Sequence, residues 1–474
     1  MKPAGQLVPL APAEDLLVRS ARRTAARDFT FDVIAAADPA APLAHAHLTF
    51  PGFASTALAE VLPGGGLRFR GGLPGPGFYP LSVSADGNGR RLTGRDYFVV
   101  PDDSPAPAGH EAGYYVFLGC GDYPIITGRE THPLAAWTLA QWKDLVAWMG
   151  AHGMNRLWVL VNGYTLAYPS QRYPLLRDRH ARNVSDNFLG ELIAHGHAHG
   201  VQTHLMLTTD GHARDFSRAH PEAARLDADG KPCHHFGLAL EHPLTRRYIF
   251  DVLDEVLALY PAADGVAVHP TESDPDRFNP ESLAAFRAET GHDLREAPPA
   301  ERRAWHNRTF ARFMAEFTAR CHRHNPALTV TMANCWWQDD FVAINHEELP
   351  VSVQVAVWHY AWEDTAPAQW PIYRWTEAFD AGRILYVPTS QSYLYPTEPS
   401  RVMDRHIGTD RLISTAATLG VRRTVYFAGW DIADEPARLL DAALVRHPTG
   451  GPVPDLYADY FAAKARRLSA PSQP

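Results

Sequence analysis

The amino-acid sequence predicts a (β/α)₈ barrel preceded by a small β-sandwich domain, and three observations support this prediction. Eight strongly apolar runs follow one another through most of the chain. Amphipathic helical patterns separate several of these runs, which is typical of parallel strands covered by helices. The first part of the chain instead contains short alternating runs between Gly and Pro turns. We therefore assign residues 1–105 to the sandwich and residues 106–474 to the barrel.

The region from residue 28 to residue 101 is predicted to form the sandwich strands. Runs such as FDVIAAA, AHLTFPG and DYFVVPDD are short and are bounded by turn residues. The segment GPGFYPLSVSADGNG predicts a hairpin, because Asp-Gly and Asn-Gly favour tight turns. The stretch PDDSPAPAGHEAG that follows is typical of a linker.

The eight apolar runs are the predicted barrel strands. They are YYVFLG (114–119), NRLWVLVN (155–162), VQTHLML (201–207), GVAVH (265–269), LTVTMAN (328–334), VSVQVAVW (351–358), RILYVPTS (383–390) and RRTVYFAGW (422–430). Eight such units over this length fit a closed barrel with some enlarged loops. A doubly wound open sheet is the alternative, but no Gly-rich phosphate loop follows the first run.

Helical periodicity is plain in several segments between the runs. TLAQWKDLVAWMGAHG begins at a Thr that can cap a helix and ends in Gly, and SDNFLGELIAHGHAHG also ends in Gly. HPLTRRYIFDVLDEVLALY and RRAWHNRTFARFMAEFTARCHRHN have apolar residues at three- and four-residue spacing.

Composition and charge exclude several classes of function. The formal net charge is -9 and no long basic block is present, so we expect no nucleic-acid partner. No apolar run is long enough for a membrane span, and the N-terminal segment lacks a secretory apolar core, so we expect a cytoplasmic protein. No cofactor is predicted, and a homo-oligomer stays possible. Four cysteines have no zinc-type spacing and are expected to be reduced thiols: Cys120, Cys233, Cys321 and Cys335.

Polar and aromatic residues follow nearly every predicted barrel strand. The segments are GCGDY, NGY, TTDGH, HPTESD, NCWWQDD, WHYAWED, SQSYLY and GWD. The carboxyl ends of the strands form the active-site face of a (β/α)₈ barrel. The chain also contains 12 Trp and 18 Tyr, and aromatic faces can stack on the apolar faces of sugar rings. The sequence therefore predicts a carbohydrate site at this face, although core packing explains most of these aromatic residues taken singly.

Glu272 follows the fourth run, within HPTESD. A carboxyl group held against barrel walls and aromatic side chains loses solvation, which raises its pKa and makes it a proton donor near neutral pH. Cleavage of a glycosidic bond needs such an acid, because an alkoxide is a poor leaving group. Glu272 is therefore the predicted catalytic acid. The alternative is a loop residue that caps the next helix or pairs with Arg277.

A second carboxylate should face this acid, because glycosidases generally use two. Asp340 after the fifth run and Glu363 after the sixth are the preferred candidates. Asp339, Asp364 and Asp431 are further candidates, and Asp274 could instead orient Glu272. For each of these residues taken alone, a binding, capping or solvated role is favoured over a catalytic one.

The remaining strand-end residues are predicted to bind substrate. In TTDGH, Asp210 and His212 could bind sugar hydroxyls, or Asp210 and Gly211 could simply reverse the chain. Trp336 and Trp362 could join the walls of a sugar site. The predicted substrate-binding set is Asp122, Asn162, Asp210, His212, His269, Asn334, Trp337, Trp358, His359, Tyr393, Trp430 and Asp431.

The histidines raise the question of a catalytic metal. His204, His269 and His359 lie on or beside the third, fourth and sixth runs, and CHH occupies positions 233–235. A barrel metallohydrolase of the amidohydrolase kind is expected to carry a His-x-His pair on its first strand, and this first run ends FLGCGDY. No metal site is therefore predicted, and a metal-dependent barrel hydrolase is kept as an alternative.

Residues 114–280 resemble (β/α)₈ glycoside hydrolases, nearest in pattern to the family 20 β-hexosaminidases and the family 67 α-glucuronidases. WKDLVAWMGAHGMNRLWVLVNG resembles the first helix and the Asn-containing second strand of this group, and ELIAHGHAHGVQTHLMLTTDGHA resembles the third strand with its acidic-Gly-His turn. TRRYIFDVLDEVLALYPAADGVAVHPTES resembles the helix and the fourth strand that carry the acid. The resemblance implies the acid position for Glu272, a substrate-side position for His269, and a small domain before the barrel.

Two departures limit what this resemblance implies. Family 20 enzymes carry Asp immediately before the acid, where it assists the acetamido group of the substrate, and Thr271 stands there in this chain. The large retaining clan keeps an Asn-Glu pair and a Glu at its seventh strand, and the nearest counterpart after the seventh run is Glu398. The resemblance therefore implies a fold and a class of enzyme, but not the sugar.

These observations together predict a glycoside hydrolase that cleaves an oligosaccharide or a glycoside. Glu272 would be the general acid, with a second carboxylate from the fifth or sixth strand. A non-catalytic carbohydrate-binding barrel is the alternative from another class, and the missing nucleophile at the seventh strand favours it.

Overall fold

The computed structural model of the chain describes residues 15–23, 28–35, 37–38, 40–49, 57–72, 77–100, 111–118, 137–151, 153–178, 187–232, 237–269, 277–334, 348–360, 371–389 and 419–427. Two antiparallel sheets come first in the chain. Their strands are β1 (Leu16–Arg23), β2 (Asp28–Ala35), β3 (Ala44–Thr49), β4 (Ala57–Val61), β5 (Leu67–Gly72), β6 (Gly77–Gly87) and β7 (Arg90–Val100).

The two N-terminal sheets share one hydrophobic core, which makes this region the predicted β-sandwich. One sheet has the order β1-β2-β5-β4 and the other the order β3-β6-β7. Phe31 and Phe69 from the first sheet are buried in the same cluster as Leu48 and Val83 from the second. In β6 the described side chains alternate, with Val83 and Ala85 buried and Ser82 and Ser84 more exposed, because successive side chains point to opposite faces.

The β6–β7 hairpin turns at Asn88 and Gly89, as the Asn-Gly signal predicts. Both residues have positive φ, 51° and 73°, which matches the twist of a two-residue hairpin. Strand β1 was not predicted from the sequence. Its sequence LLVRSARR is rich in Arg, so it lacks the apolar pattern of a strand, yet it pairs antiparallel with β2.

Eight parallel strands then form a closed barrel in which β8 pairs with both β9 and β15. The strands are β8 (Glu111–Phe117), β9 (Arg156–Asn162), β10 (Gln202–Thr208), β11 (Gly265–His269), β12 (Thr329–Asn334), β13 (Gln354–Tyr360), β14 (Ile384–Thr389) and β15 (Arg423–Phe427). Each one coincides with a predicted run, so the barrel is confirmed and the open sheet is excluded. The first strand begins three residues earlier than predicted, at Glu111.

Both faces of the barrel strands are buried, which explains why the strands are continuous apolar runs in the sequence. Outward-facing residues such as Val159 and Leu205 pack beneath the helices. Inward-facing residues fill the barrel, where Tyr115, Trp158 and Trp358 pack against the small side chains of the opposite strands. Tyr115 contacts both tryptophans edge-on, with ring centroids 6.2 Å and 5.4 Å apart.

Helices surround the barrel: α1 (Leu139–Ala151), α2 (Phe188–Ala198), α3 (Arg214–Ala219), α4 (Pro243–Leu259), α5 (Pro280–Thr290), α6 (Pro299–His324) and α7 (Pro371–Ala378). The predicted Thr cap before α1 is confirmed as a reciprocal capping box. The backbone N–H of Gln141 donates to Thr138 Oγ1 at 3.3 Å, and the backbone N–H of Thr138 donates to Gln141 Oε1 at 2.9 Å. No helix among the described residues is long and apolar enough to cross a membrane.

Polar residues close the barrel interior at the amino ends of the strands, and we call this end the barrel base (Glu111, Arg156, His204, Gln354 and Arg423). Arg156 forms an ion pair with Glu111 at 2.8 Å and donates to Gln354 at 3.2 Å. Arg423 also pairs with Glu111, at 3.0 Å. Strand pairing between β8 and β9 requires Gly113, because a Cβ there would collide with the carbonyl oxygen of Arg156.

Candidate functional site

At the opposite end, the carboxyl ends of β10 and β11 lie side by side, and we call the polar residues around them the barrel mouth (Tyr164, Asp210, His212, Glu241, His269 and Arg277). Thr208 is the register partner of His269. The backbone N–H of Thr209 extends this pairing by donating to the carbonyl oxygen of His269 at 3.3 Å. Asp210 and His212 therefore emerge from β10 next to the end of β11.

Aromatic rings form a continuous stack from the barrel mouth into the barrel core. Tyr164 contacts His212 edge-on at 5.7 Å, and His212 stacks on His269 at 5.5 Å. His269 in turn contacts Trp358 at 4.7 Å, and Trp358 contacts Tyr115 in the core at 5.4 Å. Trp358 is only 1% exposed, so it forms the floor beneath the histidines. The stack fixes both imidazole rings at the mouth.

His212 has a left-handed backbone conformation with φ of 54°. A side chain other than Gly rarely occupies this region, although His is among the residues that tolerate it. The turn Asp210-Gly211-His212 thus reverses the chain, as one interpretation of the sequence held, and it also directs the His212 ring onto His269. Such strain is typical of functional positions.

An ionic cluster lies beside this stack. Arg277 binds Glu241 through two hydrogen bonds, Nε to Oε2 at 3.0 Å and Nη2 to Oε1 at 2.9 Å. Its Nη1 lies 3.5 Å from Asp210 Oδ2, and Asp210 Oδ1 accepts from the hydroxyl of Thr209 at 3.0 Å. The hydroxyl of Ser282 donates to Glu241 at 2.7 Å. One guanidinium therefore joins carboxylates from two different connections, with side chains that are 2–8% exposed.

Electrostatics keeps Glu241 charged. Burial of Glu241 opposes ionisation, but the positive charge and the hydrogen bonds of Arg277, with that of Ser282, outweigh it and hold the pKa of Glu241 below its usual value. Burial lowers the pKa of His306 well below its usual value, and the charges of Arg277, Arg225 and Arg302 add to this effect. His306 is therefore neutral near pH 7.

The predicted binding residues within the described part of the chain fall into two groups. Asp210, His212, His269 and Trp358 lie together at the mouth and its floor. The side chain of Asn162 instead spans two strands: it accepts from the backbone N–H of Thr208 at 2.9 Å and donates to its carbonyl oxygen at 3.0 Å.

The other predicted site residues lie outside the described residues, wholly or in their side chains. For Asn334 and His359 the structure describes the strand backbone only. Eight predicted site residues, including all three predicted catalytic carboxylates, lie wholly outside the described residues. These eight are Asp122, Glu272, Trp337, Asp340, Glu363, Tyr393, Trp430 and Asp431, and Glu272 follows β11 by three residues in the sequence. Their roles stay predictions.

Three mouth residues were not predicted to have a role in the site. Tyr164 stands in the NGY segment after β9, so its position at a strand end was a usable signal. Glu241 precedes α4 and lies far from any strand end in the sequence, so no local pattern could indicate it. Arg277 was considered only as a partner of Glu272, whereas the structure pairs it with Glu241 and Asp210.

Two of the strand histidines, His204 and His269, lie towards opposite ends of the barrel. His204 is the register partner of Gly265, at the base end of β11, whereas His269 ends that strand four residues later. At the rise of a β-strand this separates the two positions by about 13 Å. Among the residues that the structure describes, no group of three His, Cys, Asp or Glu residues could hold a metal ion.

The described mouth combines carboxylate, imidazole, phenol and guanidinium groups above an aromatic floor. Such convergence of polar groups over an apolar surface is typical of a binding site for a polar organic molecule. Its location agrees with the general rule for (β/α)₈ barrels, in which the carboxyl ends of the strands form the functional face.

Comparison with known proteins finds no matching family model and no matching curated protein sequence. Solved structures that resemble this chain include glycoside hydrolases. A family 20 exo-β-N-acetylglucosaminidase from Vibrio harveyi is 10% identical, with a TM-score of 0.43, and the match covers 95% of this chain and 94% of that one. A β-galactosidase from Halorubrum lacusprofundi is 13% identical, with a TM-score of 0.49, and the match covers 76% and 58%.

A β-N-acetylhexosaminidase from Bacteroides fragilis is 12% identical, with a TM-score of 0.42, and the match covers 63% of this chain and 52% of that one. This chain thus spans about half the length of that enzyme. Family 20 enzymes are among the matches. At these identities the likeness concerns the fold, and the strand pairing of this chain by itself establishes the barrel.

Proposed function

We propose that this protein is a glycoside hydrolase that cleaves a glycosidic bond in an oligosaccharide or a glycoside. The observation that carries the proposal is the barrel mouth. There β11 ends at His269, buried between His212 and Trp358, and the sequence continues directly into the segment that carries Glu272. A residue that follows the fourth strand of such a barrel belongs to its functional face.

In the proposed reaction, Glu272 donates a proton to the leaving oxygen while positive charge develops at the anomeric carbon. Asp340 or Glu363, from the connections after β12 and β13, acts as the second carboxylate, which activates water or attacks the sugar. Asp210, His212 and His269 bind hydroxyl groups of the sugar. The predicted residues Asp122, Asn162, Asn334, Trp337, Trp358, His359, Tyr393, Trp430 and Asp431 complete the proposed binding set.

A screen of chromogenic aryl glycosides tests this proposal, combined with the variants Glu272→Gln, Asp340→Asn and Glu363→Gln. On a substrate with a poor leaving group, Glu272→Gln should lower kcat by about 10²–10⁴-fold, the usual contribution of a general acid. On the 2,4-dinitrophenyl glycoside of the same sugar, which needs no protonation, the loss should be small. Near wild-type activity of Glu272→Gln on the poor leaving group would show that the assignment of the acid is wrong.

A non-catalytic carbohydrate-binding barrel remains the second candidate, because no Glu directly follows β14, where the large retaining clan keeps its nucleophile. Binding of sugars in calorimetry, with no turnover of any glycoside, would favour that function. The metal-dependent alternative predicts instead that turnover is lost with a chelator and restored by Zn²⁺.

A further inference from the structure

Three side chains of α4 lie on one face of the helix, towards the segment that follows β9. They are Tyr248, Asp251 and Glu255, and we call them the α4 platform. Their spacing of three and four residues places them in one row along the helix. The segment after β9, which we call the β9 loop, spans residues 163–178 and enters the barrel mouth with Tyr164. Contacts that fix this loop therefore bear on the position of the Tyr164 ring.

Glu255 is the main attachment of the β9 loop to the α4 platform. Its carboxylate accepts four hydrogen bonds from the loop, from the hydroxyls of Tyr168 and Ser170 and from the backbone N–H groups of Gln171 and Arg172. Glu255 is 8% exposed. Burial opposes its ionisation, but these hydrogen bonds outweigh it and hold the pKa of Glu255 below its usual value. The carboxylate is therefore charged near pH 7 and accepts all four donors.

The rest of the platform supports the same loop and also the helix that follows β10. Tyr173 of the loop donates its hydroxyl to Asp251 at 2.9 Å and contacts Tyr248 edge-on at 5.2 Å. Phe216 of α3 stacks on the other platform ring contact, Tyr248, with ring centroids 4.0 Å apart. One face of α4 therefore supports the two segments that enter the barrel mouth from β9 and β10.

Backbone pairing carries this support to Tyr164. The N–H of Leu166 donates to the carbonyl oxygen of Leu176 at 2.8 Å, so the loop closes on itself two residues after Tyr164. On the other side, the N–H of Asp215 donates to the carbonyl oxygen of Tyr164 at 3.2 Å. The Tyr164 ring, 5% exposed, then lies edge-on against His212. Tyr164 is thus held from both sides at the mouth.

We propose that Tyr164 is a further sugar-binding residue of the mouth and that Glu255 is the positioning residue that holds it there. This inference rests on the proposed glycosidase function, because it takes the barrel mouth as the sugar site. Tyr164 supplies an aromatic face next to His212, and such a face can stack on the apolar face of a sugar ring. Glu255 does not touch the sugar and acts through the β9 loop. Contacts of this kind bind substrate and transition state alike, so they change KM more than kcat.

The split between KM and kcat tests the inference. The probes are the p-nitrophenyl glycosides of glucose, galactose, fucose and N-acetylglucosamine, and the one that the wild type hydrolyses fastest is used throughout. We expect Tyr164→Ala to raise KM by about 10-fold and Glu255→Ala by about 5-fold, with kcat kept within about 2-fold. A loss of folded protein would instead lower kcat and leave KM unchanged. An unchanged KM in either variant would overturn the role assigned to that residue.

A double variant separates an effect through Tyr164 from an independent effect of Glu255. Tyr164→Ala/Glu255→Ala should have the KM of Tyr164→Ala alone, because no ring remains to be positioned. Single effects that multiply in the double variant would contradict the inference. Tyr168→Phe replaces Glu255→Ala if that chain does not fold: it removes one of the four hydrogen bonds and keeps the buried ring. It should raise KM by about 2-fold, and only while Tyr164 is present.

Asp254→Ala is the matched control. Asp254 is the neighbour of Glu255 on α4, but its carboxylate pairs with Arg320 and His324 of α6 and not with the β9 loop. Its loss removes a carboxylate and its hydrogen bonds from the same turn of the same helix, so KM should stay at the wild-type value. A rise in KM equal to that of Glu255→Ala would show a general effect of α4 and would contradict the positioning role.

Hydrogen–deuterium exchange separates the failure of this inference from the failure of the proposed function, because it needs no substrate. Exchange in peptides that cover residues 162–178 should rise in Glu255→Ala and stay unchanged in Asp254→Ala. If it does so but the wild type neither binds nor hydrolyses any of the glycosides, the proposed function fails, and the sugar-binding role of Tyr164 fails with it. If the wild type hydrolyses a glycoside and exchange is the same in Glu255→Ala as in the wild type, the glycosidase stands and the positioning role fails.

Discussion

The two ends of the barrel are both lined by buried or half-buried charged residues, but they are built in different ways. At the base, two arginines share Glu111, and every member of the cluster lies on a strand. At the mouth, Arg277 is shared by Glu241 and Asp210, and these three residues lie in connections or before a helix. Strand-borne charges are held by the sheet itself, whereas those at the mouth must hold one another. The comparison teaches that the base serves stability, and that the mouth uses ion pairs to fix loops.

The largest effect expected at the base comes from Arg156→Met. Arg156 is 3% exposed, and its removal leaves Glu111 with one partner fewer and Gln354 without this donor. Breaking a buried pair costs about 3–5 kcal/mol, and the remaining Arg423 puts this case at the lower end. Urea unfolding should show the loss, while kcat per folded molecule stays unchanged. A large drop in kcat per folded molecule would break the distinction between the two ends.

Asn162→Ala tests the mouth with an intermediate effect. Both polar atoms of the Asn162 amide bind the backbone of Thr208, so the variant leaves a buried N–H and a buried C=O unpaired. We expect a loss of about 2 kcal/mol in the free energy of unfolding. If Asn162 also binds the sugar, as the sequence predicts, KM should rise in the folded protein.

Asn155→Ala is the matched control for Asn162→Ala, because Asn155 Oδ1 accepts from the backbone N–H of Ala112 at 3.0 Å near the base. This variant should lose stability and keep the wild-type KM. An unchanged KM in both variants would show that Asn162 links β9 to β10 and does not bind the sugar.

The smallest effect is the acid sensitivity of the base. Burial lowers the pKa of His204 well below the usual 6.5, and the charge of Arg156 adds to this effect. Below pH 6.5 the unfolded chain therefore binds a proton that the folded chain does not bind. The free energy of unfolding consequently falls as the pH falls from 6.5 towards the lower pKa that His204 has in the folded protein.

His204→Phe keeps the aromatic contact with Trp158 and removes the titrating group. Its stability relative to the wild type should rise by about 1 kcal/mol for each pH unit below 6.5, up to the folded pKa of His204. Unfolding curves at pH 8, 6 and 5 measure the change. A constant difference at all three values would contradict a neutral, buried His204.

Most of the fold could be predicted because each local signal agreed with the global structure. Runs such as GVAVH are apolar on both faces, since one face fills the barrel and the other packs beneath helices. The Asn88-Gly89 turn and the Thr138 cap are encoded within a few residues. Strand β1 was missed because its partner strand, and not its own pattern, places it in the sheet.

The site could be predicted only in part. Strand ends are visible in the sequence, so Asp210, His212 and His269 were found together at the mouth. What Asn162 binds could not be predicted, because an Asn at a strand end fits a ligand and a neighbouring backbone equally well. The sequence also could not show at which end of the barrel His204 lies, because that depends on the register between neighbouring strands.

The sequence by itself determined the barrel strands, the main helices, the barrel and the face that carries its polar residues, because all of these follow from periodicity and short-range turn chemistry. Only the tertiary structure decided that Arg277 joins Glu241 to Asp210. Glu241 lies 36 positions and Asp210 lies 67 positions before Arg277 in the chain, and nothing in a local pattern relates them. Closure of the barrel brings them together, because neighbouring parallel strands deliver their connections to the same end.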